Sequence, residues 1–471
     1  MRPTQLWNRS KLRYLLSVPV FVIVLLNIEL ISQIKDFNTL NSEKNAGLKS
    51  PNVSQIIQNK NLTDIESNFN SSQKTQSLLN KIKKLNAELS IKNKHLIEGI
   101  LQDELQTQNI PKKTTNDGSK ANNIYKMPKF FVILIQVHSR LNYLKELINS
   151  LKETKYIEQA LLVFSHDIYN EEMNTLINSI DFSATLQIFY PHSLQLFPDT
   201  FPGKDSKDCS RSMNKAKALE IGCNNAAFPD TYGNYRESQV VQIKHHWFWK
   251  LAFIFDRLNE TKHLDNLHVL ILEEDHYLLP DSIHVLQKLS EKILSDIDVV
   301  SLAVFERSKQ NLDMKNLKKY SKAYWHSSKH NTGLMLSRTQ WKMIKDCSNA
   351  FCTYDDYNWD WTLQYISQTC FKLPLVAIYP VSSRVIHMGE CGTHHKGSNC
   401  DPKKKIESLR ETLEEKKNDL FSEKFSLNSV NTGILAIKKS NGGWGDPRDH
   451  NLCKSFIETD LNSNNTIFID M

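Results

Sequence analysis

The chain has 471 residues, enough for one large domain or two medium ones with extensions. Hydrophobic residues make up 40% of it, and the formal net charge is +7. This charge is mild for the length, and no basic stripe is interleaved with aromatic side chains, which argues against a nucleic-acid-binding protein.

The chain opens with basic residues, and an apolar run follows over residues 14–31. At 1.5 Å per residue, a helix over this run is about 27 Å long, just enough to cross the hydrocarbon core of a bilayer. Because the positive charge precedes the run, we expect residues 1–13 in the cytoplasm and the rest of the chain in a lumen. A cleaved signal peptide is the alternative, but no small-x-small cleavage site follows the run cleanly.

Residues 32–127 are polar and nearly free of aromatic residues, a composition typical of a stem that buries no core. The pattern within this segment predicts an amphipathic helix or a short coiled coil, or equally a solvated helix that packs on the stem or on the domain. Its apolar positions are Leu78, Ile82, Leu85, Leu89 and Leu96.

From residue 128 onward, patterns of buried strands alternate with helical patterns, and we expect a folded domain over residues 128–460 and a tail over residues 461–471. The alternation predicts an α/β fold whose sheet is mostly parallel, with helices on both faces. The predicted strands cover residues 130–137, 160–164, 186–190, 268–272 and 299–305. The predicted helices cover residues 141–151, 247–258 and 280–293.

Ligands bind such sheets outside the carboxyl ends of the strands, where several polar residues of this chain are expected. They are Gln136, His138, Arg140, Asp167, Glu273, Glu274 and Asp275. The three consecutive acids at residues 273–275 suit a divalent cation, Mn²⁺ or Mg²⁺, that bridges a diphosphate. Acids that cap the next helix or face solvent are the alternative, although Pro280-Asp281 already resembles the start of that helix.

Residues 351–365 (FCTYDDYNWDWTLQY) place three acids among aromatic side chains. Aromatic planes pack on the apolar faces of sugar rings, and a carboxylate can take the proton of an acceptor hydroxyl. Asp360 lies between two tryptophans, where partial desolvation favours proton uptake. An amphipathic helix with an aromatic core face explains the aromatic residues equally well, but it does not explain the acids.

Two further motifs contain histidines. A neutral imidazole at His387 is a good Mn²⁺ ligand, although a lone histidine is more often structural. Residues 242–250 (QIKHHWFWK) open a helix with basic and hydrogen-bonding groups, which suits a uridine diphosphate. The start of an ordinary amphipathic helix is the alternative.

Taken together, these motifs resemble the N-acetylglucosaminyltransferase II family over roughly residues 130–455. The matching segments are LIQVHSR, LLVFSHD, YRESQVVQIKHHWFWK, LEEDHYLLPD, CTYDDYNWDWTLQY, a His-x-Gly-x-Cys-Gly-x-His-His run that begins at His387, and NGGWGDPRDHNLCKS.

The resemblance implies a GT-A-type nucleotide-sugar transferase, preceded by a transmembrane signal-anchor and a stem, with its catalytic domain in the lumen. It implies a single-pass type II protein of the Golgi membrane that adds GlcNAc from UDP-GlcNAc to the α-1,6-linked mannose arm of N-glycans on glycoproteins. The β-1,2 linkage would form with inversion and depend on Mn²⁺. The resemblance gives no nucleic-acid partner and leaves a homodimer open.

The resemblance also assigns roles to individual residues. The metal ligands of the family correspond to Asp275 and His387, and its general base corresponds to Asp360. The donor contacts correspond to Gln136, Val137, His138, Ser139, Arg140, Asp167, Gln242, Ile243, Lys244, His245 and His246.

All eight cysteines lie beyond residue 208, which in a lumenal protein predicts a set of disulfides. Free buried thiols with a zinc site are the alternative, but the chain contains no C-x2-C pair. The resemblance implies the pairs Cys209–Cys223, Cys347–Cys370, Cys352–Cys453 and Cys391–Cys400. N-glycosylation sequons that suit a lumenal location occur at Asn52, Asn61, Asn70, Asn259 and Asn464.

The chain departs from the family in two places. Animal members have a further short-range cysteine pair, whereas the corresponding residues 295–298 contain no cysteine. The register of the family's acceptor-contacting arginine is not fixed around residues 305–309, so acceptor contacts there stay open.

Two other activities are consistent with the motifs. One is a related transferase that acts on the α-1,3 arm or on another mannoside, and the other is a lectin-like protein that binds glycans without chemistry. The combination of Asp275, Asp360 and His387 argues against the lectin, because a binding module has no evident use for a metal site beside a base.

Overall fold

The computed structural model describes residues 73–108, 127–295, 297–305, 316–389, 391–392, 395–396, 402–429, 433–434, 437 and 439–458. From Lys74 onward these residues belong to one unit. The predicted cytoplasmic tail, membrane anchor and C-terminal tail lie outside this range. Among the helices that are described, none is long and apolar enough to cross a membrane.

The strands follow one another along the chain as β1 (Phe131–Val137), β2 (Ala160–His166), β3 (Ala184–Phe189), β4 (His268–Glu273), β5 (His276–Leu278), β6 (Asp298–Ser301), β7 (Lys319–Tyr324), β8 (Leu334–Ser337), β9 (Val376–Pro380), β10 (Val385–His387), β11 (Cys391–Gly392), β12 (His395–Lys396) and β13 (Ser426–Ser429).

The α-helices are α1 (residues 73–87), α2 (His95–Gln108), α3 (Leu141–Glu153), α4 (Glu171–Asn178), α5 (Lys215–Ile221), α6 (Ser238–Ala252), α7 (Ser282–Ser290), α8 (Ser327–His330), α9 (Arg338–Asp346), α10 (Ser348–Thr353), α11 (Trp359–Thr369), α12 (Lys403–Glu415) and α13 (Pro447–Ser455). A π-helical turn, Phe253–Arg257, continues α6.

Nine strands form one sheet in the order β13-β7-β9-β6-β8-β4-β1-β2-β3. Five of its eight neighbouring pairs are parallel, and the antiparallel pairs are β4–β8, β6–β8 and β7–β9. The prediction of an α/β fold with a mostly parallel, mixed sheet is therefore confirmed. β8 runs against both of its neighbours, and its direction matters for the site described below.

The core has two layers because successive side chains of a strand point to opposite faces of the sheet. On β1, Val132 and Leu134 pack in one layer with the aromatic residues of α6. Ile133 and Ile135 pack in the other layer with α3 and α7. Helices on both faces bury the central strands completely, which explains why β1 reads as a continuous apolar run.

Residues 74–108 cover the free edge of the sheet at β3, and we call them the edge segment. Lys92 forms an antiparallel bridge with Thr185. The side chain of Asn86 both donates to the carbonyl of Phe189 (2.6 Å) and accepts from its N–H (3.0 Å). Ile82 packs beside Phe189. Of the alternatives left open by the sequence, this part of the predicted stem therefore adopts two helices that pack on the domain.

Three disulfides are present in the described part, and they pair as the resemblance implies. They are Cys209–Cys223, Cys347–Cys370 and Cys352–Cys453. The fourth predicted pair, Cys391–Cys400, lies outside the described side chains.

Candidate active site

The carboxyl ends of three neighbouring parallel strands meet at one edge of the sheet. β1 lies between β2 and β4, and Gln136 stands opposite Ser165 on one side and Glu273 on the other. Residues that follow these strands therefore lie close together, where ligands bind in α/β sheets. We call this region the strand-end site, which comprises residues 136–140, Asp167 and residues 273–276.

Glu274 fixes the loop that follows β1. Its carboxylate is only 1% exposed and accepts hydrogen bonds from the backbone N–H groups of residues 138–140 at 2.7 to 3.3 Å. Arg140 Nε adds a further bond at 2.8 Å. Since these bonds engage both carboxylate oxygens, Glu274 shapes the loop and leaves the next acid, Asp275, to face a ligand.

Asp167 connects the end of β2 with α6. Its Oδ1 lies 2.8 Å from His138 Nδ1, and its Oδ2 accepts from Gln242 Nε2 at 3.0 Å. The hydrogen bond to Asp167 is the main cause that raises the pKa of His138. The side chain of His138 is half-exposed, so its second ring nitrogen is available to a ligand.

Two further residues of α6 reach the strand ends. His246 Nε2 lies 2.7 Å from Ser165 Oγ, and Lys250 Nζ donates to Gln136 Oε1 at 2.7 Å. Burial lowers the pKa of Lys250 to about 7. These contacts link the polar face of α6 to the ends of β1 and β2.

The other predicted donor residues have different surroundings. Val137 is fully buried, and its carbonyl accepts from Asp167 N, while Ile243 is half-buried against the core. Lys244 Nζ donates to backbone carbonyls in the loop before α11, and His245 Nε2 lies 3.0 Å from Asp449 Oδ1. Lys244 and His245 are thus engaged with protein groups away from the strand-end site.

Asp275 is the acid best placed to hold a cation. The two-stranded pairing of β5 with β10 brings His387 opposite His276, and His387 Nε2 lies 3.1 Å from Asp275 Oδ2. Arg140 Nη1 lies 2.7 Å from the same oxygen. Burial alone would raise the pKa of Asp275, but the hydrogen bond and charge of His387, together with Arg140, outweigh it and hold the pKa well below its ordinary value.

The surroundings of Asp275 suit a divalent cation. Its Oδ1 is buried and has no hydrogen-bond partner among the described residues. Glu273, Asp275 and His276 each offer a ligand atom, and these atoms lie within 4.8 Å of one another. Carboxylate oxygen and imidazole nitrogen are donors that Mn²⁺ accepts. Gly389 leaves this space open, because a Cβ there would collide with Asp275 Oδ2.

Asp360 lies in the first turn of α11. Its Oδ1 accepts from the N–H of Trp361 at 2.9 Å, and its Oδ2 accepts from Asn331 Nδ2 at 3.1 Å. Burial raises the pKa of Asp360, and these two hydrogen bonds lower it only in part. A carboxylate with a raised pKa is a better proton acceptor at neutral pH than an ordinary one.

The direction of β8 brings Asp360 to the same edge of the sheet as Asp275. Asn331 lies shortly before β8, whose first residue, Leu334, pairs with Ile271 near the end of β4. Because the two strands are antiparallel, the beginning of β8 and the end of β4 lie side by side. Asn331 therefore links Asp360 to the edge at which Asp275 emerges, and no local pattern in the sequence signals this role.

The loop of residues 305–309 is described only at Phe305, so the acceptor contacts left open there lie outside the described residues. Residues 295–298, where the further cysteine pair of animal members would lie, include Asp298, whose Oδ2 accepts from Leu294 N at 2.9 Å. Lys322 Nζ lies 2.9 Å from the same carboxylate.

Comparison with known proteins identifies the family. The N-acetylglucosaminyltransferase II (MGAT2) family model matches residues 102–453. The Alpha-1,6-mannosyl-glycoprotein 2-beta-N-acetylglucosaminyltransferase of Homo sapiens is 41% identical over 334 residues, which cover 70% of this chain and 74% of the relative. The enzyme of the same name from Sus scrofa is 41% identical over 333 residues with the same coverage. The one from Arabidopsis thaliana is 32% identical over 334 residues, 69% of this chain and 74% of the relative.

Two solved structures are only distantly similar. S. aureus TarS 1-349 superposes with a TM-score of 0.27 at 10% identity, over 53% of this chain and 60% of that one. The mannosyltransferase Ktr4p from S. cerevisiae gives a TM-score of 0.19 at 12% identity, over 50% and 56%. Scores this low support no conclusion, and the assignment rests on the sequence matches. On those matches, the chain is a glycosyltransferase that belongs to the N-acetylglucosaminyltransferase II family.

Proposed function

We propose that this enzyme transfers GlcNAc from UDP-GlcNAc to O2 of the α-1,6-linked mannose of N-glycans, forming a β-1,2 linkage with inversion. The names of the relatives, at 41% identity over 70% of the chain, support the transferred sugar and the acceptor. The geometry of the strand-end site supports the residue roles. The mixed α/β sheet, with its polar strand ends, suits a GT-A-type fold.

The donor is assigned to the strand-end site and the adjoining face of α6. His138 and Arg140 stand where the nucleotide diphosphate would lie, at the beginning of α3, and the N-terminus of a helix favours bound phosphate. Their position is fixed by Glu274 and Asp167, so the site needs little rearrangement on binding. Gln242 and His246 are buried and support this site from α6 through Asp167 and Ser165.

The metal site is assigned to Asp275 and His387. The pKa of Asp275 lies well below its ordinary value, so this carboxylate is charged throughout the neutral range. A Mn²⁺ ion held by these two residues would supply positive charge that favours the departure of the diphosphate. Arg140, which contacts Asp275 directly, adds a fixed cation on the same side.

Asp360 is assigned as the general base. In the proposed step, the mannose O2 forms a bond to the anomeric carbon of GlcNAc while the bond from that carbon to the β-phosphate oxygen breaks. The bonding electron pair leaves with UDP, and the proton of O2 passes to the carboxylate of Asp360. Attack from the face opposite UDP inverts the anomeric centre, and no covalent enzyme intermediate is needed.

One observation carries the proposal: Asp360, held by Asn331 just before β8, and Asp275, just after β4, belong to one edge of the sheet. A base and a diphosphate site on a single edge can act on the same sugar carbon from opposite sides. A lectin would need neither group.

The test is a transfer assay with full-length protein, UDP-GlcNAc and defined N-glycans. We expect transfer to glycans that already carry GlcNAc on the α-1,3 arm, loss of transfer in EDTA, and recovery with Mn²⁺. Transfer to unmodified α-1,3 arms would instead indicate the related transferase. Glycan binding without release of UDP would indicate the lectin.

Asp360→Asn tests the base in the same assay. We expect kcat to fall about 100- to 10,000-fold, because general-base catalysis contributes a factor of that order, while the Kd of UDP stays unchanged. Asp346→Asn, at an exposed position at the end of α9, is the matched control. Near-normal turnover of the Asp360 variant would remove this residue from the mechanism.

The cellular location is part of the same proposal. A signal-anchor at residues 14–31 would place the domain in the Golgi lumen, where nascent N-glycans are accessible, and the disulfides suit such an oxidising compartment. Protease protection of residues 74–471 in sealed Golgi vesicles is the expected result. Digestion of the domain in intact vesicles would contradict it.

A further inference from the structure

Lys244 is a buried cation that the proposed chemistry does not use. Its side chain is fully enclosed in the middle of α6. Nζ donates to the carbonyl oxygens of Tyr354 at 3.2 Å and Asp356 at 2.9 Å. It also lies 4.2 Å from the ring centroid of Trp444 and 5.2 Å from that of Phe351. Carbonyl oxygens and aromatic faces therefore replace the water that this cation loses on burial.

The loop that accepts these bonds determines where α11 begins. Asn358 is the N-cap of α11, and Asp356 Oδ1 accepts from both its N–H (2.9 Å) and its Nδ2 (3.0 Å). Thr362 Oγ1 donates to the carbonyl of Asn358 at 2.8 Å. Asp360 lies two residues after Asn358 in the first turn, so a shift of this loop would move the carboxylate of Asp360.

The same helix that carries Lys244 also contacts the donor side of the site. Gln242 binds Asp167, and His246 binds Ser165 at the end of β2. Within five consecutive residues, α6 is thus tied to the strand ends through two side chains and to the loop before α11 through a third. Lys244 is the link between the two halves.

We propose that Lys244 is a positioning residue that sets Asp360 relative to the donor site. It acts through residues 354–358 and does not touch the nucleotide sugar. The proposal rests on the proposed function in one respect, the assignment of Asp360 as the general base.

The link does not depend on the charge of the lysine. Burial lowers the pKa of Lys244 to about 7, although the charges of Asp356, Asp355 and Asp449 act in the opposite direction. An ammonium group offers three N–H donors, and the neutral amine keeps two, one for each carbonyl. The contact with the loop therefore persists on both sides of this pKa.

Lys244→Met tests the proposal, because methionine fills similar space and cannot donate to the carbonyls. In full-length enzyme we expect kcat to fall about 10- to 100-fold, as for a displacement of a catalytic group by about 1 Å, while the Kd of UDP stays within about twofold. The acidic limb of the kcat profile should also move to lower pH, because a displaced Asp360 is better solvated. Loss of stability alone would not move that limb.

Lys322→Met is the matched control. Lys322 contacts the buried carboxylate of Asp298 on the far part of the sheet. Its replacement also removes a lysine contact to a buried group, so we expect a lower Tm with unchanged kcat, Kd of UDP and pH profile.

Two results would overturn the proposal. A raised Kd of UDP with unchanged kcat would make Lys244 a donor ligand, and unchanged kcat, Kd and pH profile would deny it a positioning role. If Lys244→Met does not fold, Thr362→Val removes the side-chain hydrogen bond from α11 to the carbonyl of Asn358, at the end of the same loop, and should lower kcat by a smaller factor without changing the Kd of UDP. Unchanged kcat in that variant would then refute the link.

Hydrogen exchange separates this inference from the proposed function. In Lys244→Met, the backbone amides of residues 356–362 should exchange faster than in the wild type, whether or not transfer is detected. Absence of transfer by wild-type enzyme would refute the proposed function only. Unchanged exchange in residues 356–362 would refute the role of Lys244 only.

Discussion

Within the part of the chain that the structure describes, Asp360 receives one side-chain hydrogen bond, from Asn331, and this bond favours the charged form of the carboxylate. Burial favours the neutral form and dominates, so the pKa of Asp360 is raised. A base must be unprotonated to act, so activity should be lost on acidification at a higher pH than for an ordinary aspartate. The hydrogen bond from the amide of Asn331 lowers the pKa of Asp360 in part, so removing this amide tests the account.

Asn331→Leu should move the acidic limb of the kcat profile to higher pH. Leucine has the branched outline of asparagine but cannot donate to Asp360, so the charged form loses a stabilising bond and its pKa rises further. The measurement is kcat against pH at saturating donor and acceptor. Asn349→Leu, at an exposed position on α10, is the control, and a limb that stays in place or moves to lower pH contradicts the prediction.

At the scale of single residues, the positions of some site residues were predictable from the sequence, and those of others were not. His138, Asp167 and Asp275 were expected together, because they follow apolar runs that form parallel strands with a common edge. Asn331 had no such signal, since it precedes a short antiparallel strand and contacts Asp360 only through the fold. Lys244 was grouped with its neighbours as a donor contact. Only its tertiary partners show that α6 also contacts the loop before α11. The catalytic and metal roles themselves stay predictions.

Among the elements, the edge segment has a role that its composition does not predict, because it covers the edge of the sheet at β3. A free edge strand offers unpaired backbone groups to other chains, and covering it prevents such pairing. The polar residues of the segment resemble a stem, yet Asn86 and Lys92 pair with backbone groups of β3. Side chains that mimic a backbone partner have no hydrophobic periodicity, so pattern analysis does not find them.

Asn86→Ala should reduce the free energy of unfolding by about 1–3 kcal/mol, because it leaves a buried N–H and a buried carbonyl of Phe189 without their partner. Urea unfolding monitored by circular dichroism measures the loss. Asn80→Ala, at an exposed position on α1, is the matched control and should change stability by less than about 0.5 kcal/mol. Equal effects of the two substitutions would show that Asn86 does not hold the segment.

The disulfides should differ in their contribution to the free energy of unfolding, according to the length of the loop that each closes. The Cys352–Cys453 bridge spans a sequence separation of 101, and Cys209–Cys223 spans 14. In the chain-entropy account, the longer loop gives about 1.7 kcal/mol more stabilisation. Replacing each pair by serines and comparing urea midpoints tests this order. A larger loss from the short bridge would show that native contacts, not chain entropy, dominate.

The predicted elements are most accurate where the strands are buried on both faces. β1, β2 and β4 were expected from continuous apolar runs and start within one residue of the predicted positions. β7 and β8 were not predicted, because β7 (KYSKAY) is polar and β8 is only four residues long. The strongly apolar helix was predicted from residue 247, whereas α6 begins at Ser238, since its buried polar residues interrupt the apolar pattern.

Across the whole molecule, several histidines are buried in the neutral form. Burial lowers the pKa of His166 and His330 to about 3, and that of His192 and His268 to about 4. In the unfolded chain these groups titrate near 6.5, so below that pH the unfolded state binds more protons. The free energy of unfolding must then decrease as the pH falls below about 6.5, by up to about 1.4 kcal/mol per pH unit for each such group.

The free energy of unfolding should therefore decrease between about pH 6.5 and pH 4, as measured by urea unfolding across that range. His166→Phe should make the decrease less steep, because phenylalanine keeps the ring that stacks on Phe189 but binds no proton. His263→Phe, at an exposed position, should leave the slope unchanged. A slope in His166→Phe equal to or steeper than that of the wild type would contradict the account.

The reversed direction of β8 has a consequence for how this enzyme can diversify. On the proposed assignments, the nucleotide would lie against segments that leave the sheet, whereas Asp360 is held by Asn331, in a segment about to enter it. Insertions or replacements ahead of β8 would then alter which sugar is admitted without disturbing recognition of the uridine moiety. Selectivity for one antenna of a branched oligosaccharide would in this way evolve separately from the choice of activated sugar.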